Sequence, residues 1–101
     1  MLIVVLFNLK PGASPDAYEN WARSTDIPNV NALGSVRSFS VLRTTGLLGS
    51  ENPAPYSYVE LLDVQDIEQL GNDVGSETMQ RVAAEFQGFA DAPAFMLTES
   101  I

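Results

Sequence analysis

Four residue types in this 101-residue chain could move a proton or hold a developing charge, and they recur at Asp26, Arg43, Tyr58 and Glu60. Asp26 lies in Asp26-Ile27-Pro28, where a helical pattern is predicted to break. Its carboxylate there either caps the following short helix by accepting a backbone N–H, or stands at a pocket mouth as a general base once partly desolvated. Arg37 and Arg43 bracket Phe39 and Val41 on one face of a predicted strand. A guanidinium at such a place either pairs with a carboxylate of the neighbouring strand, Glu60 being the obvious partner, or holds an anionic or carbonyl group of a ligand. Tyr56 and Tyr58 project to the side of Glu60. They can pack across strands or at an interface, and a phenol beside a carboxylate and an arginine can also donate a proton.

The missing residue types narrow the chemistry further. With no cysteine and no histidine there is no disulfide, thiolate nucleophile, cysteine-bound zinc, Ser-His-Asp triad or imidazole-ligated haem. Carboxylates, phenols, amides, hydroxyls and guanidinium groups are the working groups that remain, and neither a metal nor another cofactor is expected. Gly46-Leu47-Leu48-Gly49-Ser50 is no phosphate loop, because no Lys-Ser/Thr follows it. Its two leucines could form an apolar lip over a pocket.

Charge argues against polyanionic partners. The net charge is −8, and Lys10, Arg23, Arg37, Arg43 and Arg81 are the only basic residues. Such a chain repels nucleic acid and anionic membrane surfaces. Residues 1–50 carry four basic and three acidic groups, whereas residues 51–101 carry one and ten. The arginines of the first half are thus candidates for internal pairing or for contact with a polar ligand.

The elements that must position these groups follow from periodicity. Residues 2–9 are apolar on both phases, which reads as a strand covered on both faces rather than as a leader or a membrane span, and places the protein in the cytoplasm. Ser14 and Pro15 start a helix carrying Tyr18, Trp21, Ala22 and Thr25. Trp21 at that spacing reads as core before it reads as a ligand platform. Asp26-Ile27-Pro28 interrupts the helix, because proline disfavours helical geometry in the residue before it, and a short piece then ends at Gly34. Residues 35–44 alternate, with Val36, Ser38, Ser40 and Leu42 opposite Arg37, Phe39, Val41 and Arg43. A turn-rich connection over 46–55 leads to a strand at 56–63. Asp66 to Leu70 forms a helical turn, Ser76 caps a helix bearing Met79, Val82, Ala83 and Phe86, and Pro93 marks entry to a last strand near 94–100.

The order β-α-β-β-α-β is the ferredoxin-like arrangement, an α+β single domain over residues 1–101 with two helices on one face of an antiparallel sheet. The other face needs cover. A homodimer with sheets packed face to face supplies it, and the 46–55 connection is the alternative.

Several segments resemble the dimeric α+β barrel superfamily, and among its families the RedY-like proteins of prodiginine and related pigment pathways. They are Phe7-Asn8-Leu9-Lys10-Pro11-Gly12, Tyr18-Glu19-Asn20-Trp21-Ala22-Arg23, Asp26-Ile27-Pro28, and Ser35-Val36-Arg37-Ser38-Phe39-Ser40-Val41. The resemblance implies a homodimeric barrel with a pocket between sheet and helices in each subunit, acting on aromatic or polyketide intermediates without a tightly bound metal. It also places Asn8 in the pocket, where some family monooxygenases carry an Asn on the first strand; haem-degrading relatives pair it with a His that this chain lacks.

The preferred reading is cofactor-independent acid–base chemistry on a flat aromatic ligand, a cyclisation, dehydration or condensation. Asp26 or Glu60 would be the base and Tyr58 or Arg43 the donor, with Asn8, Trp21, Arg37, Phe39 and Tyr56 binding substrate. The alternatives are a cofactor-free monooxygenase using Asn8, Trp21 and a tyrosine, and a non-catalytic dimeric binding protein.

Overall fold

A computed structural model describes all 101 residues. Strand β1 spans Leu2–Leu9, helix α1 Pro15–Trp21, a π-helical segment Ala22–Asp26, α2 Ile27–Asn31, β2 Val36–Arg43, β3 Tyr58–Val64, α3 Ile67–Asp73, α4 Glu77–Phe89 and β4 Ala90–Leu97. The strands form one antiparallel sheet in the order β2-β3-β1-β4, as a ferredoxin-like fold requires. No helix is long and apolar enough to cross a membrane.

The helix starts are set locally. Ser14 accepts from the Ala17 N–H with Pro15 in the first turn, Asp66 accepts from the Glu68 and Gln69 N–H groups, and Ser76 accepts from the Met79 N–H. Each side-chain oxygen satisfies a donor that has no partner within its own helix.

The expected break at Asp26-Ile27-Pro28 is instead a widened turn. Ile27 keeps helical dihedrals, and its N–H reaches back five residues to the Ala22 carbonyl. Pro28 has no N–H to continue the ordinary ladder, and the turn before it accommodates that loss without ending the helix. The buried residues of this layer are Tyr18, Ala22, Asp26 and Val30, every fourth position. Residues four apart in a regular α-helix drift by about 40° around the axis. The wider turn offsets that drift and keeps all four on the core side.

Two irregularities re-aim the strands. A register shift between Val36 and Ser38 puts Val36 and Phe39 into the core together, so Arg37 does not share a face with Phe39. It pairs with Asp63 across the sheet at 3.5 Å. On β4 the shift lies between the partners of Leu6 and Asn8, with Ala92 at φ 43°. This bulge lets Pro93 sit within an edge strand that begins at Ala90, four residues before the predicted start.

One sheet face packs Ile3, Val5, Phe7, Phe39, Tyr58 and Val64 against Tyr18, Val30, Met79, Val82 and Phe86 of the helical layer. The opposite face carries Leu2, Leu42 and Met96, each at least 40% exposed, beside half-buried Val4, Leu6, Val59 and Leu61. It is apolar and open in the single chain.

Candidate functional site

Glu60 occupies the middle of β3, opposite Val5 of β1 and Val41 of β2. The alternation Tyr58-Glu60-Leu62 therefore aims its carboxylate at the helical layer, where the period of the strand calls for an apolar side chain. Asp26 reaches the same region from the other layer, at the end of the π-helical segment. Asp26 is 5% exposed and Glu60 4%.

Both carboxyls face an elongated cavity of about 260 Å³ between sheet and helices. Fourteen of its sixteen lining residues are apolar, and the two acids supply the only charge. Val5, Val30, Phe39, Met79 and Phe86 form the interior, and Phe95 and Leu97 of β4 form the mouth. Phe95 and Leu97 remain 58% and 70% exposed, so the cavity opens past the β4 edge.

Neither acid has a partner. The Asp26 carboxyl does not cap α2, and its Oδ2 is buried without a hydrogen bond. The anticipated Arg43–Glu60 pair is not formed either. Arg43 lies at the end of β2 opposite Tyr58, where its guanidinium holds Glu19 of α1 through Nε and Nη2, with Nε 2.9 Å from Oε2. Tyr58 donates its hydroxyl to the same Oε2 at 2.8 Å.

The two environments push acidities in opposite directions. Hydrogen bonds from Arg43 and then Tyr58 hold Glu19 down to about 2. Burial pushes Asp26 up to about 7. Burial, and then the charge of Asp26, raises Glu60 to about 8. Interacting acids with such values titrate as a pair, so near neutral pH the cavity holds one carboxylic acid able to give a proton and one carboxylate able to take one.

Tyr18 is the member of this constellation that sequence reasoning treats only as core. It is fully buried and its hydroxyl has no hydrogen-bond partner. Burial, followed by the charges of Glu60 and Asp26, raises its pKa well above the ordinary phenol range. The hydroxyl therefore stays protonated. The four-residue spacing Tyr18-Ala22-Asp26 was the available signal, and it becomes readable once the π turn is seen.

The remaining candidates are placed elsewhere. Phe39 lines the cavity. Asn8 pins the connection before β3: its Oδ1 accepts from the Ser57 N–H at 2.9 Å and its Nδ2 donates to the Pro55 carbonyl at 3.0 Å. Trp21 donates its indole N–H to Glu85 at 3.1 Å and stacks on Phe86, outside the cavity lining. Tyr56 precedes β3 and is 39% exposed. Tyr58, Arg43 and Glu19 border a separate open groove of about 330 Å³ with Tyr18 and Ala22 in its wall.

Comparison with known proteins agrees with this architecture. The family model described as REDY-like protein HapK matches residues 1–101. The crystal structure of HapK from Hahella chejuensis superposes with a TM-score of 0.71 at 25% identity, covering 100% of this chain and 97% of that one. SnoaB, a cofactor-independent oxygenase from Streptomyces nogalater, shares the fold with a TM-score of 0.71 at 14% identity, over 99% and 93% of the two chains. A dimeric ferredoxin-like protein from Thermobifida fusca does so with a TM-score of 0.70 at 14% identity, over 94% and 85%. No curated protein sequence matches the chain.

Proposed function

Because the chain belongs to the REDY-like HapK family, we propose that it binds a flat, mostly apolar small molecule between sheet and helices and moves a proton on it without a cofactor. The observation that carries this reading is the pair of carboxyls, Asp26 and Glu60, lining one apolar cavity with no cation beside them, the Asp26 Oδ2 buried without a hydrogen bond. Burying acids without cations or donors costs stability, and groups so perturbed within a cleft mark functional sites. The carboxylate takes a proton from an acidic C–H or N–H of the ligand while the carboxylic acid returns one to an oxygen. That exchange underlies a cyclisation, dehydration or condensation step. Tyr58 and Arg43, bound to Glu19, act at the flank of the cavity rather than on the transferred proton.

The setting we propose is aromatic natural-product biosynthesis, such as a prodiginine-like pigment or antibiotic pathway, in the cytoplasm. We also place the chain in a homodimer. The open face bearing Leu2, Leu42 and Met96 and the dimeric description of a fold relative support that assembly.

An anthrone, whose ring carbon is acidic, tests the reaction. Hydrogen–deuterium exchange at that carbon, followed by NMR in deuterated buffer, should be accelerated by the protein. The Asp26→Asn/Glu60→Gln double variant should lose about a hundredfold of the acceleration. Equal exchange by both proteins would overturn the reading, and oxygen consumption in the same assay would point to the monooxygenase alternative.

A further inference from the structure

The polar end of the cavity is made of oxygen alone. Asp26 and Glu60 bring carboxyls to the lining, and the Asp26 Oδ2 is buried with no partner. No lysine or arginine lines the space. Arg43 and Arg37 are engaged at Glu19 and Asp63 on other surfaces, so the chain offers nothing that could neutralise the pair from within. The same side chains belong to no cluster of three or more metal-binding groups. Beyond the acids, the lining is hydrocarbon and aromatic, with Phe86 edge-on to Phe95 at 6.1 Å near the mouth.

Such a site is complementary to one kind of ligand. A carboxylate or phosphate would add repulsion to an already anionic pole. A neutral hydrocarbon would leave the buried oxygens without donors, which is the costly state. A group that brings N–H donors and positive charge satisfies both acids and gains from the aromatic faces. The net charge of −8 attracts such a ligand from solution.

Resting on the reading of this cavity as a ligand-binding and proton-transfer site, we infer that its ligand is an organic cation with an apolar body. An ammonium, iminium or amidinium group sits against Asp26 and Glu60, and the ring or chain attached to it runs toward Phe86 and Phe95. Binding then releases a proton near neutral pH, because the cation favours ionisation of the acid that otherwise keeps its proton. The titratable groups facing this pole are Asp26 on the π turn, Glu60 on β3 and Tyr18 on α1, with Tyr58 and Glu19 behind Tyr18; β1, α4 and β4 contribute only apolar side chains to the lining.

Three probes of one shape and different charge test the assignment: naphthylmethylammonium, naphthylmethanol and naphthoate, titrated by calorimetry in buffers of different ionisation heat. The ammonium should bind about tenfold or more tightly than the alcohol, with proton release, and naphthoate should bind worst. In the isosteric Asp26→Asn/Glu60→Gln variant, whose folding is checked by circular dichroism, the preference and the proton release should vanish. If the alcohol binds as tightly as the ammonium, or the preference survives in the double variant, the charge assignment is overturned while the ligand-binding reading stands. If none of the three binds, both are overturned.

Discussion

Asp26 and Glu60 enter one apolar cavity from opposite layers of the fold, Asp26 from the helices and Glu60 from the sheet, and the charge of the first raises the pKa of the second. The pair must therefore govern how stability depends on pH. Between its ordinary value of 3.8 and about 7, Asp26 is ionised in the unfolded chain but protonated in the folded one. Glu60 behaves likewise between 4.5 and about 8. The folded state holds more protons across this window, so stability falls as pH rises through it and levels off above the folded values. The loss is on the order of 4 kcal/mol for Asp26 alone. Urea unfolding at a series of pH values should show the decline, and Asp26→Asn/Glu60→Gln should flatten it.

Tyr18 should weigh on stability and not on binding. Its hydroxyl is buried without a partner, so Tyr18→Phe removes an unsatisfied group while keeping the ring against Phe7 and Tyr58. The variant should be as stable as the parent or up to about 1 kcal/mol more so. Its affinity for naphthylmethylammonium should be unchanged, because Tyr18 lies outside the cavity lining, and calorimetry reads this directly.

Asn31 holds the outer edge of β2. Its Oδ1 accepts from the Phe39 N–H and its Nδ2 donates to the Phe39 carbonyl, both at 3.0 Å, so the edge strand is closed at the residue that lines the cavity. Asn31→Ala should cost about 1–2 kcal/mol and selectively speed exchange of the Phe39 amide.

The open sheet face should mediate assembly. Leu61 lies there, opposite Val4 of β1 and Ser40 of β2. Light scattering should give the parent twice the 10.9 kDa chain mass. Leu61→Arg should give the single chain by placing a charge in the apolar centre of the interface.

What could be read in advance was whatever is decided locally. Ser14, Asp66 and Ser76 cap the helices predicted from them, and Glu60 stands out because it interrupts an alternation of large apolar side chains. What escaped depended on neighbours far along the chain. Arg43 meets Glu19 rather than Glu60 because α1 passes over the end of β2, and the bulge after Val36 turns Arg37 outward. Asp26 was identifiable as chemically interesting, but its surroundings favoured a capping role, since a proline two residues on looks like a helix start. Only the packed core shows that it points inward.

That inward aim rests on the number of residues between Trp21 and Ile27. The π-helical segment Ala22–Asp26 acts as a phase shifter: each residue of an ordinary helix turns the chain by about 100°. In a regular helix the twelve steps from Tyr18 to Val30 would leave the two about 120° apart, whereas eleven steps make three turns and about 20°, so the wider turn absorbs one extra residue and keeps both side chains on the core. The stretch between Ala22 and Asp26 can therefore lose one residue and close into a regular helix with Tyr18, Asp26 and Val30 still facing inward, whereas one added residue would turn Val30 away from Tyr18 by about 100°.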